Sequence, residues 1–558
     1  MRLRLFNDFS GLGARCAIRT RVIKLGISFC LALACASPVY AKQDDPDGHA
    51  ELVHLFNALE EWRQPFSAPL GQFDTQTMAE RGEALALLRE RLDALDVSGW
   101  AVPHKVDYLA VRSRFDQQRF RLEVSRPWAR DPGFYVDQLL RLAFVELPMS
   151  EEDGEHNLAL LEALPGWIEH AIINLVDVAA DYADLALHNL SQADGVGHGH
   201  PYRAKPPAGV LGWYEDLRSR AQDQADLLPA IDGAHQAVQR FYQWLNSERP
   251  GMKAAAGVGR QRFDWYLRHV KLMPYDIDGV RELGKREFDR LWAAYALERH
   301  RNRAEPPLAM AESEIEYGER IARTDQHVRA FLEQQDILSI PDWVGTLDTN
   351  APWIVRPGGP NFWEQVQYRD PHPDHLHAVI PGHRFDRLVA SRLEHPIRQK
   401  LFSGARAEGW GVYLEEAMLQ AGLFEDLPRV RELIYVFGIF RAARVAADVG
   451  LQTNQLSVND TVDYWMQTVP LMDRDVARVD AEIYLRRPPG YGLGYTIGML
   501  QMQQLLADRK QQLGDAFELR GFHDEFLSKG WLPISLIRWE MTGLDDEVAD
   551  FWNTDPLP

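Results

Sequence analysis

Apolar residues along the chain recur mainly at three- and four-residue intervals and seldom alternate, so the pattern predicts a mainly α-helical protein. In 277–300, Val280, Leu283, Phe288, Leu291, Trp292 and Tyr295 fall on one helical face. Residues 427–450 give another helix, with Leu433, Val436, Phe437, Phe440 and Val445 turned inward. Residues 154–190 read as one or two helices interrupted near Pro165-Gly166, because an interior proline removes a hydrogen bond and crowds the preceding turn. A short strand signal at 361–368 (NFWEQVQY) stands apart. The Gly- and Pro-rich stretch 194–209 reads as a loop. It divides an N-terminal helical region, 42–193, from a second region, 210–558, unless the two form one large domain. His198 and His200 in this loop could bind metal, but a polar loop is the simpler reading. The sequence holds no internal repeat and no low-complexity tract.

The amino terminus carries a different pattern. Arg2, Arg4, Arg15, Arg19, Arg21 and Lys24 stand against a single acid, Asp8, ahead of an apolar run from Leu25 to Ala36. That run is too short to span a bilayer, which needs about 20 apolar residues. Ser37-Pro38-Val39-Tyr40-Ala41 follows, with Val39 and Ala41 at the −3 and −1 positions of a cut after Ala41. This order is that of a secretory signal peptide over 1–41, and it predicts an exported, periplasmic or secreted protein. Lipoprotein anchoring at Cys35 fits less well, because Ala32-Leu33-Ala34 departs from the usual leucine-first box.

Composition narrows the chemistry. The 558 residues include 61 Lys plus Arg and 81 Asp plus Glu, a net charge of −20. Without 1–41 the chain keeps 55 bases and 80 acids, for −25, which argues against a general nucleic-acid binder. The three cysteines, Cys16, Cys30 and Cys35, all lie in the leader. A mature chain without cysteine has no disulfide, no thiol nucleophile and no Cys-metal site. No GxxxxGK[ST] loop and no GxSxG elbow occurs, and the glycine-rich 490–498 segment has Ile497 where a dinucleotide fingerprint needs its third glycine.

The informative segment is 371–384, PHPDHLHAVIPGHR, which gathers His372, His375, His377 and His383. Imidazole is a common zinc ligand, so such a cluster raises the expectation of metal. His377 and His383 are six apart, about 120° off-face in a regular helix, whereas a plain zinc helix places its histidines at i and i+4. Pro381-Gly382 can break the helix between them, since Pro381 has no N–H and Gly382 tolerates unusual dihedrals. Downstream, Glu408 and Glu415 are seven apart and share a helical face. They suit one carboxylate that binds metal and another that orients a ligand.

Here the chain resembles the bacterial domain-of-unknown-function 885 family, grouped with gluzincin metallopeptidases. The matching motifs are His377-Ala378-Val379-Ile380-Pro381-Gly382-His383, then Glu408-Gly409-Trp410 with Tyr413 and Glu415. Arg441 and Arg444 with Asp448 and Gly450 follow, then Gly494-Tyr495 with Gly498, then Phe522-His523. The resemblance implies a large helical zincin-like fold with a small β-sheet beside the active-site helix. It implies zinc held by His377, His383 and Glu408, with Glu415, Asp448 and Tyr413 supporting them, and peptides as substrate or ligand. Tyr495 and His523 resemble donors to a tetrahedral oxyanion, although either could be a buried hydrogen-bonded residue. Arg444 could hold a peptide carboxylate or pair with Asp448 at i,i+4.

Two positions depart from that pattern. Ala378 replaces the glutamate that by resemblance acts as general base, and a methyl group cannot take a proton. A positioned base is worth about 10² to 10⁴-fold. Gln452 stands where the family often has histidine. Three functions are therefore open: a zinc hydrolase using Asp374, His375 or Glu415 as base, a metal-retaining pseudopeptidase, and a metal-free helical scaffold.

Overall fold

The computed structural model describes residues 46–145, 147, 151–192, 207–348, 352–356 and 358–558. The predicted leader, with its three cysteines, and the loop bearing His198 and His200 lie outside these residues. Among the described residues every regular element is a helix, and the one extended pairing is an isolated bridge between Ala179 and Ala254. The small β-sheet expected beside the histidine segment is thus absent from them.

The strand expected at 361–368 is instead the helix Phe362–Gln367. Asn361 caps it by accepting the Glu364 N–H at 3.0 Å, and Glu364 reaches back to the Asn361 N–H at 2.9 Å. This reciprocal cap outweighs the β-preference of the aromatic residues, while Phe362 and Val366, four apart, bury the inner face. Helices Ile277–Arg301 and Pro428–Gln452 form where the periodicity predicts them. The predicted break at Pro165 does not occur. Helix Glu151–Asn174 runs through it, and the chain turns only before helix Ala180–Ser191. Leu161, Leu164, Ile168 and Ala171 are all buried on one face, so packing offsets the hydrogen bond lost at the proline.

The packing interleaves the two ends of the chain. Leu52, Leu55, Leu92 and Leu109 from the N-terminal helices share a core with Leu376, Trp410, Ile439 and Met499. A second core runs from Phe66 to Leu245 and contains Leu190 and Trp213, so helices on both sides of residues 193–206 join it. No helix among the described residues is long and apolar enough to cross a membrane.

Two helices form the floor of the site, the glutamate helix Gly404–Ala421 and the tyrosine helix Gly494–Leu513. They cross in backbone contact. A Cβ on Gly409 would lie 2.5 Å from the Gly498 backbone, and one on Gly498 would lie 2.1 Å from the Ala405 carbonyl oxygen. Only glycine permits that approach.

Candidate metal centre

The histidine segment is two short helices with a break between them. Helix His372–Ala378 ends one residue past His377, and helix His383–Ala390 begins at His383. The chain turns through 379–382, and a Cβ on Gly382 would lie 1.9 Å from the His377 carbonyl oxygen. The turn lets two residues six apart face one point. His377 Nε2 and His383 Nε2 are 3.1 Å apart, and Glu408 Oε2 lies 3.4 Å from the first and 3.2 Å from the second. One ligand-type atom from each residue fits within 4.8 Å of the others, so the trio could hold a metal ion.

The glutamate helix supports this cluster through its neighbouring residues. The Trp410 indole N–H donates to the Pro381 carbonyl at 3.0 Å and pins the turn. Gly411 lets the His377 ring lie against the helix backbone, since a Cβ there would sit 2.6 Å from the imidazole. The fully buried Arg406 pairs with Asp386 on the second histidine helix, and Asp386 also accepts the Trp531 indole N–H at 2.9 Å. Glu415, one helical repeat on from Glu408, places Oε1 2.7 Å from His377 Nδ1 and 3.5 Å from Arg441.

Charge is strongly coupled here. Burial pushes the Glu408 carboxyl up, but His383 and His377 together hold it well below the ordinary carboxylate range. Burial alone would lower His377, yet Glu408 and Glu415 raise it. Each charged form is stabilised by its partners in a site from which water is largely excluded.

The tyrosine side of the site contains a contact that motif reading missed. Tyr491, in the turn before the tyrosine helix, donates its hydroxyl to Glu408 Oε1 at 3.0 Å. The Tyr495 hydroxyl is 3.5 Å from that of Tyr491, and its ring stacks 6.3 Å from His377. Arg441 and Arg444 lie over the Tyr495 ring at 5.2 and 4.4 Å. Tyr491 had a faint signal, since it lies four residues before Tyr495. Gly411 and the Trp410–Pro381 bond had none.

Other predicted residues are engaged elsewhere. Arg444 pairs with Asp480 at 2.7 Å rather than with Asp448. Asp448 accepts the Leu493 N–H at 2.9 Å and shapes the turn carrying Tyr491, while burial pushes its carboxyl up to about 6. Gln452 donates to the carbonyls of Tyr484 and Leu485. His523 Nδ1 lies 2.7 Å from the Ile337 carbonyl, which can only accept, so Nδ1 carries the proton. Nε2 then accepts from the Tyr413 hydroxyl at 2.8 Å. Both ring nitrogens are used, and burial lowers His523 to about 4, so the ring is neutral at pH 7 and lacks an Nε2 proton to donate. His375 bonds Asp325 at 3.1 Å, and His372 bridges Asp370 and His327 at 2.6 and 3.0 Å. Neither reaches the trio. Asp374 is buried on the first histidine helix.

The fold and site define a mainly helical protein in which two histidines on either side of a helix break meet a glutamate from a neighbouring helix. The chain belongs to DUF885, a family of bacterial proteins of unknown function, whose profile matches residues 64–350 and 375–541. No match exists among the curated proteins. A candidate lipoprotein of unknown function from Shewanella oneidensis has a similar solved structure. Its TM-score is 0.68 at 16% identity, over 88% of this chain and 99% of that one. A candidate lipoprotein from Colwellia psychrerythraea is similar at a TM-score of 0.67 and 15% identity, over 88% and 98%.

Proposed function

We propose that this protein is an exported, zinc-binding, peptidase-like hydrolase of zincin-like type, in which His377, His383 and Glu408 hold the metal and peptide hydrolysis is slow for want of a base. The spacing of the three donors carries this reading. Zinc–nitrogen and zinc–oxygen bonds of about 2.0–2.2 Å in a tetrahedron set donor separations of roughly 3.3 Å. The observed edges are 3.1, 3.2 and 3.4 Å. When bound, zinc would supply Lewis acidity and bring the pKa of water down to about 7.

The protein's own contribution is orientation and charge. Glu415 holds the His377 ring, and Tyr491 holds the Glu408 carboxylate. Tyr495, whose ring stacks 6.3 Å from His377 and whose hydroxyl lies 3.5 Å from that of Tyr491, is the candidate donor to a developing oxyanion. His523 receives no substrate contact in this reading, since Ile337 and Tyr413 engage both ring nitrogens. Arg444, by contrast, spends only Nη2 on Asp480 and keeps Nε and Nη1 without a hydrogen-bond partner among the described residues. Ala378 cannot accept a proton, and two alternative bases are committed: Glu415 to His377 and Arg441, and His375 to Asp325. That commitment favours, as a second reading, a pseudopeptidase that binds peptides without cleaving them.

The deciding experiment purifies residues 42–558 without chelator, measures bound metal, and assays a peptide library with wild type and Ala378→Glu. About one zinc per chain is expected, with weak wild-type turnover and a gain of about 10² to 10⁴-fold on restoring the acid. Absence of metal refutes the ligand assignment. Strong wild-type cleavage refutes the role given to Ala378. Peptide binding with no turnover in either form selects the pseudopeptidase.

A further inference from the structure

A polar cavity away from the metal centre lies between helices Thr75–Asp93, Val102–Phe120 and Arg260–His269 and the C-terminal residues 553–556. Its volume is about 180 Å³. At about 30 Å³ per water that is room for roughly six waters or one small organic ion. None of its lining residues belongs to the metal centre.

The charges in its wall are unequally satisfied. Arg89 bonds Asp93 at 2.9 Å and also pairs with Asp116, and Arg119 bonds Glu123 at 2.9 Å. Asp555 is 3.4 Å from Arg268, and its carbonyl accepts the Trp265 indole N–H at 3.0 Å. Arg112 differs. It is only 3% exposed, has no ion-pair partner among the described residues, and makes a single hydrogen bond there, from Nη2 to the Phe551 carbonyl. Nε and Nη1 have no protein acceptor there, and the side chain lines the cavity. His269, also 3% exposed, faces the same space, with Asp555 at 4.0 Å and no hydrogen bond among the described residues.

A buried guanidinium with unused donors is costly unless an anion meets it. Its free Nε–H and Nη1–H groups suit charge-assisted hydrogen bonds to the oxygens of a carboxylate or phosphate. The neighbouring acids do not fill this role, because Arg89 and Arg268 already claim them. The imidazole of His269 offers a second polar contact, and the Trp265 ring packs 4.7 Å from it as an apolar wall. From this we infer that the cavity is a binding site for a small oxyanion, a phosphate or a short carboxylate, anchored by Arg112 and contacted by His269.

Calorimetric titration of the mature chain tests this, with inorganic phosphate and with succinate in separate runs. Saturable binding of either at one site is expected. Phosphate alone indicates a tetrahedral ligand, and succinate alone a carboxylate. Arg112→Met keeps the bulk of the side chain and should weaken binding by about tenfold or more, the scale of a lost charge-assisted hydrogen bond. Should Arg112→Met fail to fold by circular dichroism, His269→Phe, which fills the contact face with a ring lacking polar atoms, should cause a comparable loss. No saturable heat from either probe overturns the proposal, as does unchanged affinity in a folded variant.

Discussion

Gly411→Ala tests the link between helix packing and the histidine–glutamate geometry. The new methyl carbon would lie 2.6 Å from Cε1 and Nδ1 of His377 and 3.0 Å from Cγ. Ordinary carbon contacts are about 3.5–4.0 Å, so the overlap is roughly 1 Å. The helix cannot retreat, because Trp410 is bonded to Pro381, Arg406 is paired with Asp386, and Gly409 already touches Gly498. The imidazole must move instead. Overpacking costs about 1–3 kcal/mol, whereas Gly→Ala within a helix returns up to about 1 kcal/mol, so the net stability loss should be small, about 0–2 kcal/mol. Geometry should suffer far more. A shift near 1 Å is large beside donor separations of 3.1–3.4 Å, and metal affinity should fall by at least the 10- to 100-fold typical of disturbed supporting contacts. Gly318→Ala is the control, since that exposed helical glycine has nothing within 4 Å of its built Cβ. It should be neutral or stabilising and leave metal binding intact. Urea unfolding and competition with a chromogenic chelator supply the two readouts. If Gly411→Ala matches Gly318→Ala in both, the close approach of helix to imidazole is unimportant and the reasoning fails.

Other outcomes follow from the same contacts. Tyr491→Phe removes the hydroxyl on Glu408 and should lower metal affinity about 10- to 100-fold without altering the far-UV spectrum, measured by chelator competition. Unchanged affinity would remove Tyr491 from the site. Burial holds His523 at about 4 against an unfolded value near 6.5, so it contributes most stability above pH 6.5 and loses it as pH falls towards 4. The loss approaches about 3 kcal/mol, and unfolding free energies between pH 7 and 4 should flatten in His523→Gln; an undiminished slope would assign the acid sensitivity elsewhere. Tyr413→Phe leaves His523 Nε2 without its donor and should cost about 1–3 kcal/mol at pH 7, read from denaturant midpoints.

The glycines and aromatics of the Glu408 and Tyr495 motifs have structural roles as definite as those of the charged residues. Gly409 and Gly498 set the distance between two helices, Gly411 admits the imidazole, and Trp410 pins the turn that delivers His383. Ala378 leaves all of these contacts intact. Under the proposed function, Ala378→Glu is therefore a test of chemistry rather than of folding.

Periodicity alone determined helices Ile277–Arg301 and Pro428–Gln452, because their apolar faces repeat over many turns. The residue order His377 to His383 with Pro381-Gly382 between them also showed that the two rings could converge only across a break, since a regular helix would turn them apart. Short-range signals were less reliable. The segment at 361–368 carries β-favouring aromatics, but an Asn361–Glu364 cap makes it a helix, and Pro165 lies within a helix because its neighbours pack well. The pairing of Arg444 with Asp480, the capture of His523 by Ile337 and Tyr413, and the hydroxyl of Tyr491 on Glu408 were decided only by tertiary structure. A sequence fixes which residues share a face of one helix. Which neighbour that face meets depends on how the helices pack, and here that packing gives the Glu408 carboxylate its three partners.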